Sequence, residues 1–115
     1  MSWELRVRDR FSAAHYLKEY RGKCEKVHGH TFQVEAVLEV RELDATGIGV
    51  DFARIKAALA AVLPDHTLLN EVLPFNPSAE NLARHFFEAL AKDFPVIAVT
   101  VWESEDASAT YTPDH

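Results

Sequence analysis

The fold follows from residues 28–42, which read HGHTFQVEAVLEVRE. From residue 31 onward apolar and polar residues alternate, and the apolar set is Phe32, Val34, Ala36, Leu38 and Val40. A period of two is typical of a β-strand with one face buried and the other solvated. We therefore predict a long strand over residues 31–42.

Three further segments have strand patterns. Residues 3–12 alternate in the same way, with Trp3, Leu5, Val7 and Phe11 on the apolar side. Residues 96–104 are rich in β-branched residues, and residues 108–113 follow a short acidic turn. We predict strands over all three segments.

Two helices are predicted in the middle of the chain. Asp51 is placed as an N-cap, the apolar residues that follow it have helical spacing, and Pro64 ends the helix. Ser78 is a second N-cap before an apolar face formed by Leu82, Phe86, Ala89 and Leu90. Residues 64–77 hold three prolines and no periodicity, so we predict a loop there.

The predicted order is strand, strand, helix, helix, strand, strand. This segregation favours an α+β fold with a four-stranded antiparallel sheet and two helices on one face (ββααββ). The 115 residues suit one domain, residues 1–115. Such a sheet leaves strand edges open, and open edges favour oligomerisation through strand pairing.

Composition limits the partners. A net charge of −6 argues against nucleic acid, whose recognition usually requires a basic face. No apolar run reaches the roughly 20 residues that cross a bilayer, so no membrane role is expected. Residues 1–6 lack the apolar region of a signal peptide, and we expect a cytoplasmic protein. A single cysteine leaves no internal disulfide.

The histidines carry the strongest local signal. His28 and His30 are two residues apart at the start of a strand, so their side chains point to the same side. If the first two strands form a hairpin, His15 at the end of the first strand meets them. Three imidazoles on Zn²⁺ leave a fourth position open, as in catalytic zinc sites. The alternative is a set of incidental surface or core histidines, which an HxH pair alone does not exclude.

Cys24 lies four residues before His28, between Lys23 and Lys26. Nearby positive charge favours a thiolate, which is competent as a base or nucleophile. The alternative is a small buried apolar residue, the usual state of a free cysteine. The polar, loop-like surroundings of Cys24 argue against that alternative.

Two further candidates are weaker. Asp65 and His66 have the residue types of an acid–base pair, although adjacent side chains rarely bond each other directly, so a surface pair is the favoured reading. Glu103 continues the apolar row of the third long strand. It is either a recognition group or a strand end in solvent, and the sequence alone favours the strand end.

Together these segments resemble one enzyme family, the 6-pyruvoyltetrahydropterin and 6-carboxytetrahydropterin synthases. The resemblance covers nearly the whole chain and rests on six segments in the family's order. They are Phe11-Ser12-Ala13-Ala14-His15, Cys24-Glu25-Lys26-Val27-His28-Gly29-His30, Gly49-Val50-Asp51-Phe52, Asp65-His66-Thr67-Leu68-Leu69-Asn70, Asn76-Pro77-Ser78-Ala79-Glu80-Asn81-Leu82-Ala83 and Glu103-Ser104.

The resemblance implies a tunnelling (T-) fold whose sheets close into a barrel on oligomerisation, in a homohexamer of two stacked trimers. It implies active sites at subunit interfaces and a pterin triphosphate as substrate. In this family's pattern the zinc ligands are His15, His28 and His30. The resemblance makes Cys24 the general base, Asp65-His66 its partner in proton relay, and Glu103 the anchor of the pterin ring.

The spacing of Cys24 and His28 resembles that of the bacterial 6-carboxytetrahydropterin synthases of queuosine biosynthesis. The implied activity is a lyase reaction that converts 7,8-dihydroneopterin triphosphate to 6-carboxy-5,6,7,8-tetrahydropterin, acetaldehyde and triphosphate. A 6-pyruvoyltetrahydropterin synthase, a related pterin lyase and a non-catalytic pterin-binding paralogue are the alternatives. Ser78 and Ser104 replace the threonines usual in the family and keep their hydroxyl groups.

Overall fold

Two long strands form the centre of the sheet, β1 (Trp3–His15) and β2 (His28–Val40). They pair antiparallel along their whole length, from Trp3 opposite Val40 to His15 opposite His28. The computed structural model of the chain describes residues 1–113. Residues 114–115 lie outside the described part.

Three shorter strands complete the sheet: β3 (Thr67–Leu68), β4 (Val96–Ser104) and β5 (Ala107–Tyr111). The strand order is β3-β1-β2-β4-β5. All neighbours are antiparallel except β3, which runs parallel to β1. In a single chain this sheet is open.

The helices are α1 (Phe52–Val62), α2 (Leu69–Val72) and α3 (Ala79–Ala91). Both predicted N-caps are confirmed, because Asp51 accepts a hydrogen bond from the backbone of Ala53 and Ser78 accepts one from Asn81. None of the helices within residues 1–113 combines the length and apolar character needed to span a bilayer.

The core lies between the helices and one face of the sheet. Phe11 and Phe32, which face each other across β1 and β2, stack with ring centroids 4.8 Å apart. Phe86 of α3 meets Phe11 edge-on at 5.8 Å. All three rings are buried, so aromatic packing holds α3 against the sheet. The predicted α+β fold with helices on one face is confirmed.

The other face of the sheet is polar and open. Glu35 of β2 accepts a hydrogen bond from Arg8 of β1 at 2.6 Å and lies 3.7 Å from Arg6. The alternation predicted for residues 3–12 and 31–42 is therefore confirmed, with apolar side chains toward the helices and most charged ones away from them. Asp9, which is on the side of Val7 and Phe11 and pairs with Val34, is an exception.

Several boundaries differ from prediction. The strand predicted over residues 31–42 ends at Val40, and the one predicted over residues 108–113 spans Ala107–Tyr111. The region 64–77 is not all loop, since it contains the two-residue strand β3 and the single-turn helix α2. The sheet therefore has five strands and the fold three helices. Elements this short bury too few side chains to give a period in the sequence. In addition, β1 and β2 extend to His15 and His28, because hydrogen-bonded pairing continues beyond the apolar residues.

Removal of the Asp51 cap tests the helix start. We expect Asp51→Ala to lower the free energy of unfolding by about 1 kcal/mol, because the Ala53 N–H loses its acceptor. Urea denaturation at fixed protein concentration measures this. Asp51→Ser keeps an acceptor and should lose much less, so an equal loss in both variants would contradict the capping role.

Candidate metal centre

Three histidines meet at one end of the β1–β2 ladder. His15 is opposite His28, and His30 is opposite Ala13. Since side chains alternate along a strand, all three rings project to the same face as Phe11 and Phe32. The cluster therefore lies at the edge of the core, on the helix-covered face.

The rings form a compact triangle. Their centroids are 4.7 Å apart for His15 and His28, 5.1 Å for His15 and His30, and 4.8 Å for His28 and His30. One nitrogen from each ring lies within 4.8 Å of the others. Nitrogens at this separation are close enough to share one metal ion, whose bonds to imidazole are about 2.0–2.1 Å long for zinc.

Backbone carbonyl groups orient two of the rings. The Nδ1 atom of His15 lies 2.8 Å from the Pro77 carbonyl oxygen, and that of His28 lies 2.9 Å from the Lys26 carbonyl oxygen. A carbonyl oxygen only accepts, so Nδ1 carries the hydrogen in both rings. With Nδ1 bonded to a carbonyl oxygen, Nε2 is the nitrogen that each ring has left to bind a metal ion.

The inner nitrogens lack partners in the protein. Among the described residues, the Nε2 atoms of His15 and His30 are buried without a hydrogen-bond partner. Leaving a buried polar atom unsatisfied costs about 1–3 kcal/mol. Burial also lowers the pKa of His30, an effect that Glu103 opposes only in part, so the ring is neutral near pH 7. A divalent metal ion fits this donor set.

Glu103 lies beside the cluster. Its Oε1 atom is 3.6 Å from Nε2 of His30, and its side chain is 34% exposed. Glu103 is near the end of β4, as the sequence favours, but it is not free in solvent. It borders a cavity of about 720 Å³ that is also lined by Gly29, His30 and Trp102. This cavity can admit a ligand that contacts both the Glu103 carboxylate and His30.

Cys24 lies in the segment that joins β1 to β2, residues 16–27. Its thiol is free and exposed. β1 ends at His15 and β2 begins at His28, and both residues belong to the histidine cluster. The fold therefore attaches the cysteine to the two strands that form the metal cluster.

Asp65 and His66 do bond each other, contrary to the sequence-based expectation. The Nδ1 atom of His66 lies 2.8 Å from Oδ2 of Asp65. His66 has a positive φ of 57°, a conformation rarely adopted by residues other than glycine, and the adjacent side chains meet in this turn. The other Asp65 oxygen accepts the backbone N–H of Ser12 at 2.8 Å. That bond and, next, the His66 bond lower the pKa of Asp65 and keep it ionised.

The structure places this pair apart from the three histidines. His66 lines a cavity with Arg10, Ser12 and Thr31. Ser12 and Thr31 contact each other at 3.1 Å across β1 and β2, and they alternate with the core residues Phe11 and Phe32. Their side chains therefore lie on the open face of the sheet, opposite the metal cluster.

Comparison with known proteins agrees with this geometry. Residues 4–114 match the sequence profile described as 6-pyruvoyl tetrahydropterin synthase. The chain belongs to the 6-pyruvoyl tetrahydropterin synthase family. The predicted family is therefore confirmed over nearly the whole sequence.

Three curated members of the family are informative. A chain of Archaeoglobus fulgidus, provisionally named a 6-carboxy-5,6,7,8-tetrahydropterin synthase, is 40% identical over 99 residues, 84% of each chain. The 6-carboxy-5,6,7,8-tetrahydropterin synthase of Bacillus subtilis is 35% identical over 76% of this chain and 64% of its own. The dihydroneopterin monophosphate aldolase of Pyrococcus furiosus is 33% identical over 92% of this chain and 94% of its own.

The fold is also that of the family. The 6-pyruvoyl tetrahydropterin synthase of Caenorhabditis elegans superposes with a TM-score of 0.82 at 25% identity, over 97% of this chain and 96% of its own. The predicted T-fold is thereby confirmed for the single chain.

Sequence reasoning missed the groups that support the site. The carbonyl groups of Pro77 and Lys26 are backbone atoms, and no side-chain pattern marks them. Asn70 and Asn76 bond the backbone of Tyr16 and Lys18. Both asparagines fall within the segments that resemble the family, which was the only signal available for them.

Loss of one ligand tests the metal centre. We expect His28→Ala to reduce bound divalent metal from about one ion per chain to below about one tenth, because two nitrogens hold zinc far more weakly than three. Metal analysis of the purified protein measures this. His66→Ala is the matched control, and it should keep its metal because His66 lies on the other face. Full metal content in His28→Ala would refute the ligand assignment.

Proposed function

We propose that the protein is a zinc-dependent 6-carboxytetrahydropterin synthase. It converts 7,8-dihydroneopterin triphosphate and one water molecule to 6-carboxy-5,6,7,8-tetrahydropterin, acetaldehyde and triphosphate. The observation that carries the proposal is the triangle of His15, His28 and His30 beside the Glu103 carboxylate. Its support is membership of the family and two relatives named for this activity, fully or provisionally.

The donor set favours zinc. Three neutral imidazole nitrogens are the protein ligands of many catalytic zinc sites, and they leave a position for a substrate oxygen. When bound, the ion supplies a Lewis acid that acidifies the hydroxyl-bearing side chain of the pterin. The protein's contribution is to orient His15 and His28 through their carbonyl partners, which keeps Nε2 directed at the ion.

Glu103 binds the pterin ring in this proposal. A carboxylate accepts two N–H groups from the amino-pyrimidinone edge, and charge assistance strengthens both hydrogen bonds. Glu103 and His30 line the same cavity, so a ring bound by the carboxylate would lie in the cavity that this histidine borders. In this proposal the pterin ring and the metal ion bind in the same cavity.

Cys24 serves as the base. Its thiol is exposed, on a segment that also carries Lys23 and Lys26. The thiolate removes a proton from the substrate's side chain. Both ends of the segment lead into the strands that carry His15 and His28, and we propose that the segment brings Cys24 to the side chain of the substrate.

The Asp65–His66 pair returns the proton. Asp65 is ionised and fixes the ring through Nδ1, so Nε2 of His66 is the exchanging atom. Since the pair lies on the open face of its own chain, we propose that it serves a neighbouring copy. A homohexamer in which open sheets close into barrels brings the two faces of different chains together.

A product assay tests the reaction. We expect zinc-loaded protein to form 6-carboxytetrahydropterin and acetaldehyde from 7,8-dihydroneopterin triphosphate, as measured by mass spectrometry. Cys24→Ala should keep its zinc while kcat falls at least about 100-fold, the usual contribution of a general base. A 6-pyruvoyl product would identify a 6-pyruvoyltetrahydropterin synthase. Bound zinc without turnover would indicate a pterin-binding protein.

Mixed oligomers test the shared site. His28→Ala and His66→Ala should each be inactive, but co-expressed chains should recover about a quarter of wild-type activity, since random pairing leaves that share of sites intact. The control pairs His28→Ala with Cys24→Ala. In the proposed site one chain supplies both His28 and Cys24. Neither mutant chain can supply both residues, so no recovery of activity is expected. Absence of recovery in the first mixture would refute the two-chain site.

A second candidate is aldol cleavage of dihydroneopterin monophosphate. It is favoured by the Pyrococcus furiosus relative, which aligns over 92% of this chain and 94% of its own. The same base, metal and ring anchor suit cleavage of a carbon–carbon bond in the side chain. Parallel assays with the monophosphate and the triphosphate distinguish the two, because the aldolase should prefer the monophosphate.

A further inference from the structure

The segment that carries Cys24 has a strained tip. Glu19 and Arg21 have positive φ values of 57° and 53°, in the left-handed region that costs free energy for residues other than glycine. Backbone hydrogen bonds from Gly22 to Glu19 and from Lys23 to Tyr20 close the tip. Such a conformation persists only where surrounding contacts determine it, so the ends of the segment next to β1 and β2 must be anchored.

The anchors are three side chains that bind three consecutive backbone N–H groups. The N–H of Tyr16 donates to Asn70 at 3.0 Å, and that of Lys18 donates to Asn76 at 2.8 Å. Between them, the N–H of Leu17 donates to Oε1 of Glu25 at 2.9 Å. Asn70 also donates to the Tyr16 carbonyl at 2.9 Å. The strand that ends in His15 is thus continued by side-chain contacts.

Glu25 differs from the two asparagines because it belongs to the Cys24 segment itself. Its backbone N–H donates to the Leu17 carbonyl at 3.0 Å while its side chain accepts from the Leu17 N–H. Both polar groups of Leu17 are therefore bound by the residue next to Cys24. This two-bond closure fixes one side of the segment to the other.

The anchors also connect the segment to the metal cluster. Asn76 precedes Pro77, whose carbonyl oxygen accepts the hydrogen bond from His15. The carbonyl oxygen of Asn76 accepts a hydrogen bond from the side-chain amide of Asn81, in α3, at 2.9 Å. The segment of Cys24 and the ring of His15 are therefore held by neighbouring residues on the same stretch of chain.

We infer that Glu25 is a positioning residue that sets the place of the Cys24 thiol relative to the three histidines. It acts as a hydrogen-bond acceptor for Leu17 and transfers no proton itself. The inference deepens the proposed function and rests on it only for the role of Cys24 as the base. The contacts of Glu25 with Leu17 do not depend on that role.

A pair of variants separates positioning from proton transfer. Glu25→Gln keeps an acceptor oxygen for the Leu17 N–H, whereas Glu25→Ala removes it. In the zinc-loaded protein, hydrogen exchange of the peptide covering residues 16–27 should be about tenfold faster in Glu25→Ala and unchanged in Glu25→Gln. Glu42→Ala, at an exposed glutamate outside the site, is the control and should not change the exchange.

Kinetics give the second readout. Glu25→Ala should lower kcat about tenfold with KM changed less than about twofold, and Glu25→Gln should restore kcat to within about twofold of wild type. Equal loss of kcat in Glu25→Gln, with slow exchange retained, would show that the carboxylate does chemistry and would overturn the inference. Unchanged exchange in Glu25→Ala would also overturn it.

Failure of the proposed function would be seen separately. If the wild-type protein turns over no pterin, the rate of Cys24 alkylation by iodoacetamide replaces kcat as the readout. The alkylation rate of Glu25→Ala should then differ from that of the wild type. The alkylation rate of Glu25→Gln should equal that of the wild type. Equal alkylation rates in all three proteins would overturn the positioning role.

Discussion

The antiparallel pairing of β1 with β2 is the constraint on which the rest of the structure depends. Every residue of the two 13-residue strands takes part in it. One register sets both the stacked pair Phe11–Phe32 and the opposed pair His15–His28. A shift by one residue would turn the apolar side chains into solvent and separate the histidines. Folding energy and site geometry are therefore fixed by the same ladder.

The metal cluster lies at the edge of the core, and that position determines its chemistry. Burial lowers the pKa of His30, and the carbonyl groups of Pro77 and Lys26 accept hydrogen bonds from the Nδ1 atoms of His15 and His28. What remains is a set of unsatisfied Nε2 atoms. Unsatisfied atoms of this kind cost stability, and an ion bound by them would relieve that cost.

The sequence predicts the parts of the structure that repeat a pattern. Alternation over residues 3–12 and 31–42 predicts the central strands, and Asp51 and Ser78 mark the helix starts. The HxH pair and a hairpin register predict the histidine cluster. Other features leave no periodic trace. The short elements β3 and α2 depend on contacts with β1, and the Asp65–His66 bond depends on a positive φ. The Pro77 carbonyl is a backbone group, so no pattern of side chains in the sequence predicts its hydrogen bond with His15.

The position of the Asp65–His66 pair follows from the alternation of side chains between the two faces of β1. Ser12 and His66 are tied by the backbone, since the His66 N–H donates to the Ser12 carbonyl, and Ser12 points away from the face of Phe11 and His15. Moving the pair to the metal face within one chain would require a one-residue slip of β1, which would expose the buried Phe11 ring. Burial of a phenylalanine ring contributes about 1.5–3 kcal/mol. A second chain can supply the pair without that loss, which is the arrangement that the proposed function requires.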